Sequence, residues 1–121
     1  GSMPRKKKLE PREFLKHGGR YPFGPFEHNV PEDVLAAACF AKNLIIFMNG
    51  DLFDQSMGVA GQKESQLSLS VKAGVSQGVI SRVLSGKTYP DISTIANLEF
   101  FAGVPLWCGP RERNDFLRGV F

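Results

Sequence analysis

The chain has 121 residues, a length that fits one domain with a flexible arm, and its 42% hydrophobic residues supply a core. The formal net charge is +3, but residues 1–20 carry +5, residues 21–121 carry −2, and within that remainder residues 63–90 carry +3. Two basic regions on a near-neutral body point to a polyanionic partner; two cysteines make no disulfide scaffold, and the apolar stretch 34–48 is too short for a bilayer of about 30 Å.

Gly1 and Ser2 ahead of Met3 read as a cloning remnant. Residues 1–30 are expected to form a basic N-terminal arm, mobile to about Lys16 and without regular structure. Gly18-Gly19, Pro22 and the cluster Phe23-Gly24-Pro25-Phe26 punctuate it too often for a continuous element. Its aromatic part, 21–26, is expected to pack on the body, because closely spaced exposed aromatics are adhesive. Residues 31–121 are expected to be the folded domain.

Residues 31–49 predict a first helix. Pro31 suits a first turn, Glu32 and Asp33 favour the positive helix N-terminus, and Gly50 stops the run. It is apolar nearly all round, so it belongs at the centre or at a subunit contact. Residues 51–63 form a connector. Residues 65–73 predict a second helix capped by Ser65 and followed by Gly74. Residues 76–85 predict a third, capped by Ser76, with Val75 and Ile80 at the spacing of a hydrophobic staple and Gly86 as the stop. Residues 91–102 predict a fourth, capped by Asp91, and residues 110–118 a short fifth. No segment predicts a sheet, so the expected class is all-α: a compact bundle of about five helices with a basic arm.

The second and third helices, joined by Ala73-Gly74-Val75, make the informative unit. A helix-turn-helix needs a tight glycine-bearing turn and small residues where its helices cross, here Ser70 and Ala73. Leu69, Val75, Ile80 and Val83 then form the shared core, leaving Gln77, Gly78, Ser81, Arg82 and Ser85 outward. Those residues are polar or small, and one is cationic, which suits a helix in the major groove.

With Gln66, Ala73-Gly74-Val75, Ile80-Ser81-Arg82, Gly86-Lys87 and Pro90 at this joint spacing, the chain resembles the lambda repressor/Cro type, the XRE family of regulators. The similarity continues through Thr94, Ile95, Leu98 and Gly103-Val104, covers about residues 65–107, and is closest in style to short actinobacterial or phage members. The resemblance implies a dimer that binds double-stranded DNA. Gln77, Gly78, Ser81 and Arg82 fall at its base-contacting positions, and Gln66, Ser76 and Lys87 at backbone-contacting ones. Arg5, Lys6, Lys7 and Lys8 are expected to add phosphate contacts from the arm. Leu67, Val71 and Leu84 depart from the pattern, being apolar where polar surface is usual, and a cover is expected from the connector or a second subunit.

The expected function is therefore a sequence-specific transcriptional regulator, a repressor, working in the cytoplasm at the nucleoid. The alternative is an antitoxin-like module whose partner is a toxin or another regulator. No catalytic constellation, cofactor or membrane partner is expected. His17, His28, Cys39 and Cys108 match no standard zinc spacing, and Cys39 and Cys108 are expected to be thiols in a reducing compartment. Trp107, Phe116, Leu117, Val120 and Phe121 are expected to be core or dimer contact.

Overall fold

The computed structural model describes residues 9–50 and 63–117. A 3-10 turn over Pro11–Phe14 leads into strand β1, Leu15–Arg20, and β2, Gly24–Phe26. Five helices follow: α1 Glu32–Met48, α2 Gln66–Ala73, α3 Gln77–Ser85, α4 Ile92–Ala102 and α5 Pro110–Leu117. The helix count and starts agree with the sequence expectation to within one residue. The all-α class does not: β1 and β2 pair antiparallel, with Leu15 opposite Phe26 and Arg20 opposite Gly24, so the fold is mixed.

The glycines that read as punctuation are what permit this hairpin. Gly18 has φ +82°, and a side chain on Gly19 would sit 2.9 Å from the Pro25 carbonyl oxygen. The register shifts between Leu15 and Arg20, as expected of a strand that bends at a glycine-bearing irregularity. Phe26 anchors the hairpin in the core. Its ring meets Tyr21 edge-on at 6.4 Å and Phe116 of α5 at 5.9 Å. Of the aromatics of 21–26, Tyr21 and Phe26 thus pack on the body, as part of a hairpin, whereas Phe23 stays 49% exposed.

Helix α1 is the hub. Val34 through Ala41 are buried on every side. Phe40 and Leu44 face one cluster with Leu69, Val75, Ile80, Val83, Leu98 and Leu106. Val34, Leu35, Ala38 and Cys39 face a second cluster, with Phe26, Cys108 and Phe116. The alanines at 36, 37, 38 and 41 let neighbours approach the helix closely from both directions. Tyr21 flanks the second cluster; its hydroxyl is buried with no partner among the described residues, and burial, then the nearby Tyr89, pushes its pKa up.

The segment from α4 to α5 is pinned by polar groups. Glu99 accepts from the backbone N–H of Leu106 at 2.7 Å and of Trp107 at 2.9 Å. The Asn43 amide donates to the Leu106 carbonyl at 2.9 Å, and Arg113 donates to the Cys108 carbonyl at 2.9 Å and to Glu32 at 3.0 Å. Cys39 and Cys108 are joined in a disulfide, 69 positions apart in sequence with Cα atoms at 6.1 Å. The two free thiols expected from the sequence are thus corrected to a bridge, made possible by the packing of the α4–α5 segment on α1. Among the described residues, no helix is long and apolar enough to cross a membrane.

Candidate nucleic-acid interface

Local capping builds the α2–α3 corner. Ser65 accepts from Ser68 N–H at 3.0 Å, and the Ser68 hydroxyl accepts from Ser65 N–H at 3.0 Å, so two backbone donors at the start of α2 are satisfied reciprocally. Gly74 ends α2 in the left-handed region, φ 72°, and returns its N–H to the Ser70 carbonyl. Ser76 then opens α3 by accepting from Val79 N–H at 3.2 Å. Leu69, Val75, Ile80 and Val83 are buried together, which fixes the rotation of α3 about its axis.

That rotation decides the outward face. Gln77, Gly78, Ser81, Arg82 and Ser85 are all exposed. They recur at intervals of one, three and four residues, so they share one side of the helix. The Arg82 guanidinium lies back along α3 over Gly78: a side chain added at Gly78 would come within 3.2 Å of an Arg82 terminal nitrogen. Gly78 therefore leaves a shallow floor across which Arg82 lies. In the sequence, glycine in a first turn was legible as an oddity; its relation to Arg82 was not.

The backbone-contact candidates flank this face. Ser76 and Lys87 are exposed at either end of α3, and Gln66 is half-buried at the start of α2. Arg5, Lys6, Lys7 and Lys8 lie outside the described residues. Lys72 is taken up elsewhere: its ammonium meets Glu64 at 2.9 Å, and Glu64 also accepts from Ser68 at 2.6 Å. The Ser68 hydrogen bond and then the Lys72 contact hold the Glu64 carboxyl below the usual range. The one acid in 63–90 is thus neutralised by Lys72, and the exposed cations Lys63, Arg82 and Lys87 have no acidic partner among the described residues.

The expected apolar departures divide. Leu84 packs against the core, whereas Leu67 and Val71 remain 60% and 75% exposed. Of the connector proposed to cover them, 51–63, all but Lys63 lies outside the described residues. Two further uncovered side chains stand on α4: Ile92 at 85% and Phe100 at 91%. The first half of α1 and Phe116, considered as subunit contacts, are buried within the fold. Trp107 is partly exposed and rests against Phe40 with ring centres 6.3 Å apart. Leu117 is partly exposed as well, while Val120 and Phe121 lie outside the described residues.

Sequence reasoning also missed what stands beside the face. The end of α3 abuts the N-terminal hairpin: Arg12 N–H donates to the Gly86 carbonyl at 3.0 Å, and a side chain on Gly86 would meet the Tyr21 ring at 2.8 Å. No family model, curated protein or solved structure matches the chain.

Proposed function

We propose that the chain is a sequence-specific double-stranded DNA-binding regulator of transcription, a repressor that occupies an inverted-repeat operator as a dimer, with α3 in the major groove. The observation that carries it is the outward face of α3. Gln77, Gly78, Ser81 and Arg82 stand exposed on a helix whose opposite side is locked into the core.

The chemistry fits base reading. Glutamine pairs bidentately with adenine and arginine with guanine, each worth about 1–3 kcal/mol of discrimination. Nine residues of α3 extend about 13 Å, enough to lie along a few base pairs of a groove some 12 Å wide. Lys87, Ser76 and Gln66 would take phosphates and fix the register without reading sequence. In a two-fold dimer the recognition helices lie about one DNA turn, roughly 34 Å, apart.

Leu67 and Val71 on α2, with Ile92 and Phe100 on α4, are the most exposed large apolar side chains among the described residues and are offered to a second copy. The same side chains favour a second reading, an antitoxin-like module that keeps the fold and seats another protein there. A regulator of this kind works in the cytoplasm at the nucleoid. A reducing cytoplasm opens many bridges, so α3 is expected to act whether or not Cys39 and Cys108 are joined.

The test is selection of bound duplexes from a random pool, followed by sequencing. Enrichment of an inverted repeat with half-site centres about one helical turn apart is the expected outcome. A pool that stays random, or binding indifferent to sequence, contradicts the proposal.

A further inference from the structure

The N-terminal hairpin carries charge that the α2–α3 pair does not account for. β1 presents Lys16, His17 and Arg20, all exposed; neither strand contains a carboxylate, and the exposed Glu27 that directly follows β2 leaves the hairpin net positive. Among the described residues Lys16 and Arg20 have no acidic partner. The acids that precede the hairpin are occupied locally: Glu10 pairs with Arg12 at 2.7 Å, and Glu13 accepts from the Glu10 backbone.

The position of this charge is fixed by three contacts. Arg12 N–H is tied to the Gly86 carbonyl. Tyr21, next to Arg20, lies on Gly86 so closely that no side chain fits between them. Leu9 accepts from the Tyr89 hydroxyl at 2.9 Å, two residues past Lys87. The hairpin and the turn that leads into it are therefore docked at the C-terminal end of α3, at Gly86 next to Lys87.

We propose that the β1–β2 hairpin is a second DNA-contacting element, in which Lys16 and Arg20 engage phosphates flanking the groove that α3 enters. This rests on the DNA-binding function proposed above and extends it. Each half-site becomes longer than α3 alone reaches, and the added length is read by charge, not by base edges.

The experiment compares the full chain with the double variant Lys16→Ala/Arg20→Ala on the selected operator. Affinity is measured across a salt series, and the protected phosphates are mapped by hydroxyl-radical footprinting. Both substitutions are on the surface, and circular dichroism with thermal melting verifies the fold. The double variant is expected to bind at least about tenfold more weakly at low salt, with a log–log salt slope shallower by about three to four (two cations in each of two protomers) and a footprint shortened at the flank of each half-site. Its preferred base sequence stays that of the wild type, and Lys16→Arg/Arg20→Lys restores the slope.

An unchanged slope and footprint in a double variant whose wild type binds the operator overturns the hairpin contact and leaves α3 recognition standing. A changed base preference with an unchanged flank also overturns it. A wild type with no affinity for any duplex removes the function on which it rests, a result distinct from either.

Discussion

Gly74 and Gly86 have nearly the same backbone, φ 72° and 77°, yet they belong to differently built regions. Gly74 faces open space and is explained by the helix it ends. Gly86 ends α3 too, but Tyr21 and Arg12 close on it from a hairpin more than sixty positions earlier in the chain. The α2–α3 region is organised by neighbours in sequence: serine caps, a left-handed glycine and a staple spacing. The N-terminal and C-terminal segments are held by long-range ties, namely Cys39–Cys108, Arg113–Glu32, and Arg12 to Gly86. The contrast teaches that one residue type in one conformation can record either a local stop or a docking surface.

The largest break of this contrast removes a long-range tie. Reduction of Cys39–Cys108, or Cys39→Ala/Cys108→Ala, is expected to lower stability to denaturant by about 2–4 kcal/mol, since the closed loop is long. Operator affinity below the melting temperature is expected to stay within twofold, because the bridge lies in the second cluster and α3 packs in the first. A tenfold loss of affinity on reduction would show that the two regions are not separable.

A sharper comparison sets Gly74→Ala against Gly86→Ala. Both force a side chain into the left-handed region, at a cost of about 1–2 kcal/mol. At Gly86 the added carbon also meets the Tyr21 ring at 2.8 Å and the Arg12 Cβ at 2.9 Å. Gly86→Ala is therefore expected to cost more and to expose Tyr21, read by tyrosine fluorescence and hydrogen exchange in the hairpin. Equal melting temperatures for the two variants would mean that the hairpin is not seated as described.

The smallest effect is pH-dependent and belongs to the α2–α3 region. The Glu64 carboxyl is held low by Ser68 and Lys72, so it contributes stability at neutral pH that disappears as pH falls through its folded pKa. Asp91, which caps α4 by accepting from Thr94 N–H at 2.7 Å, has the same sign. Melting temperature is expected to decline on acidification below the ordinary carboxylate range, near 4. Glu64→Gln should flatten part of that decline; a variant as acid-sensitive as the wild type would remove Glu64 from the explanation.

These differences also explain what was legible in the sequence. The starts of α2, α3 and α4 were legible because Ser65, Ser76 and Asp91 cap residues three positions on. The outward set on α3 followed from helical period once Ile80 and Val83 were assigned inward. The hairpin was not legible, since Gly18-Gly19 and Pro25 look like breakers until Phe26, Tyr21 and Gly86 are seen together. Nor was the bridge, whose partners meet only after α4 and α5 fold onto α1. Gly78 was visible as an anomaly, but its use as the floor for Arg82 depends on a side-chain path that spacing does not reveal.

Base reading by the exposed side of α3, with Arg82 among the readers, is the proposal on which the other roles depend. Its most direct measurement is parallel selection from one random duplex pool with the wild type and with Arg82→Ala. The two enriched motifs are expected to differ at one position per half-site, where a guanine preferred by the wild type becomes degenerate, corresponding to about 1–3 kcal/mol of lost discrimination. Identical motifs bound with identical affinity would contradict it.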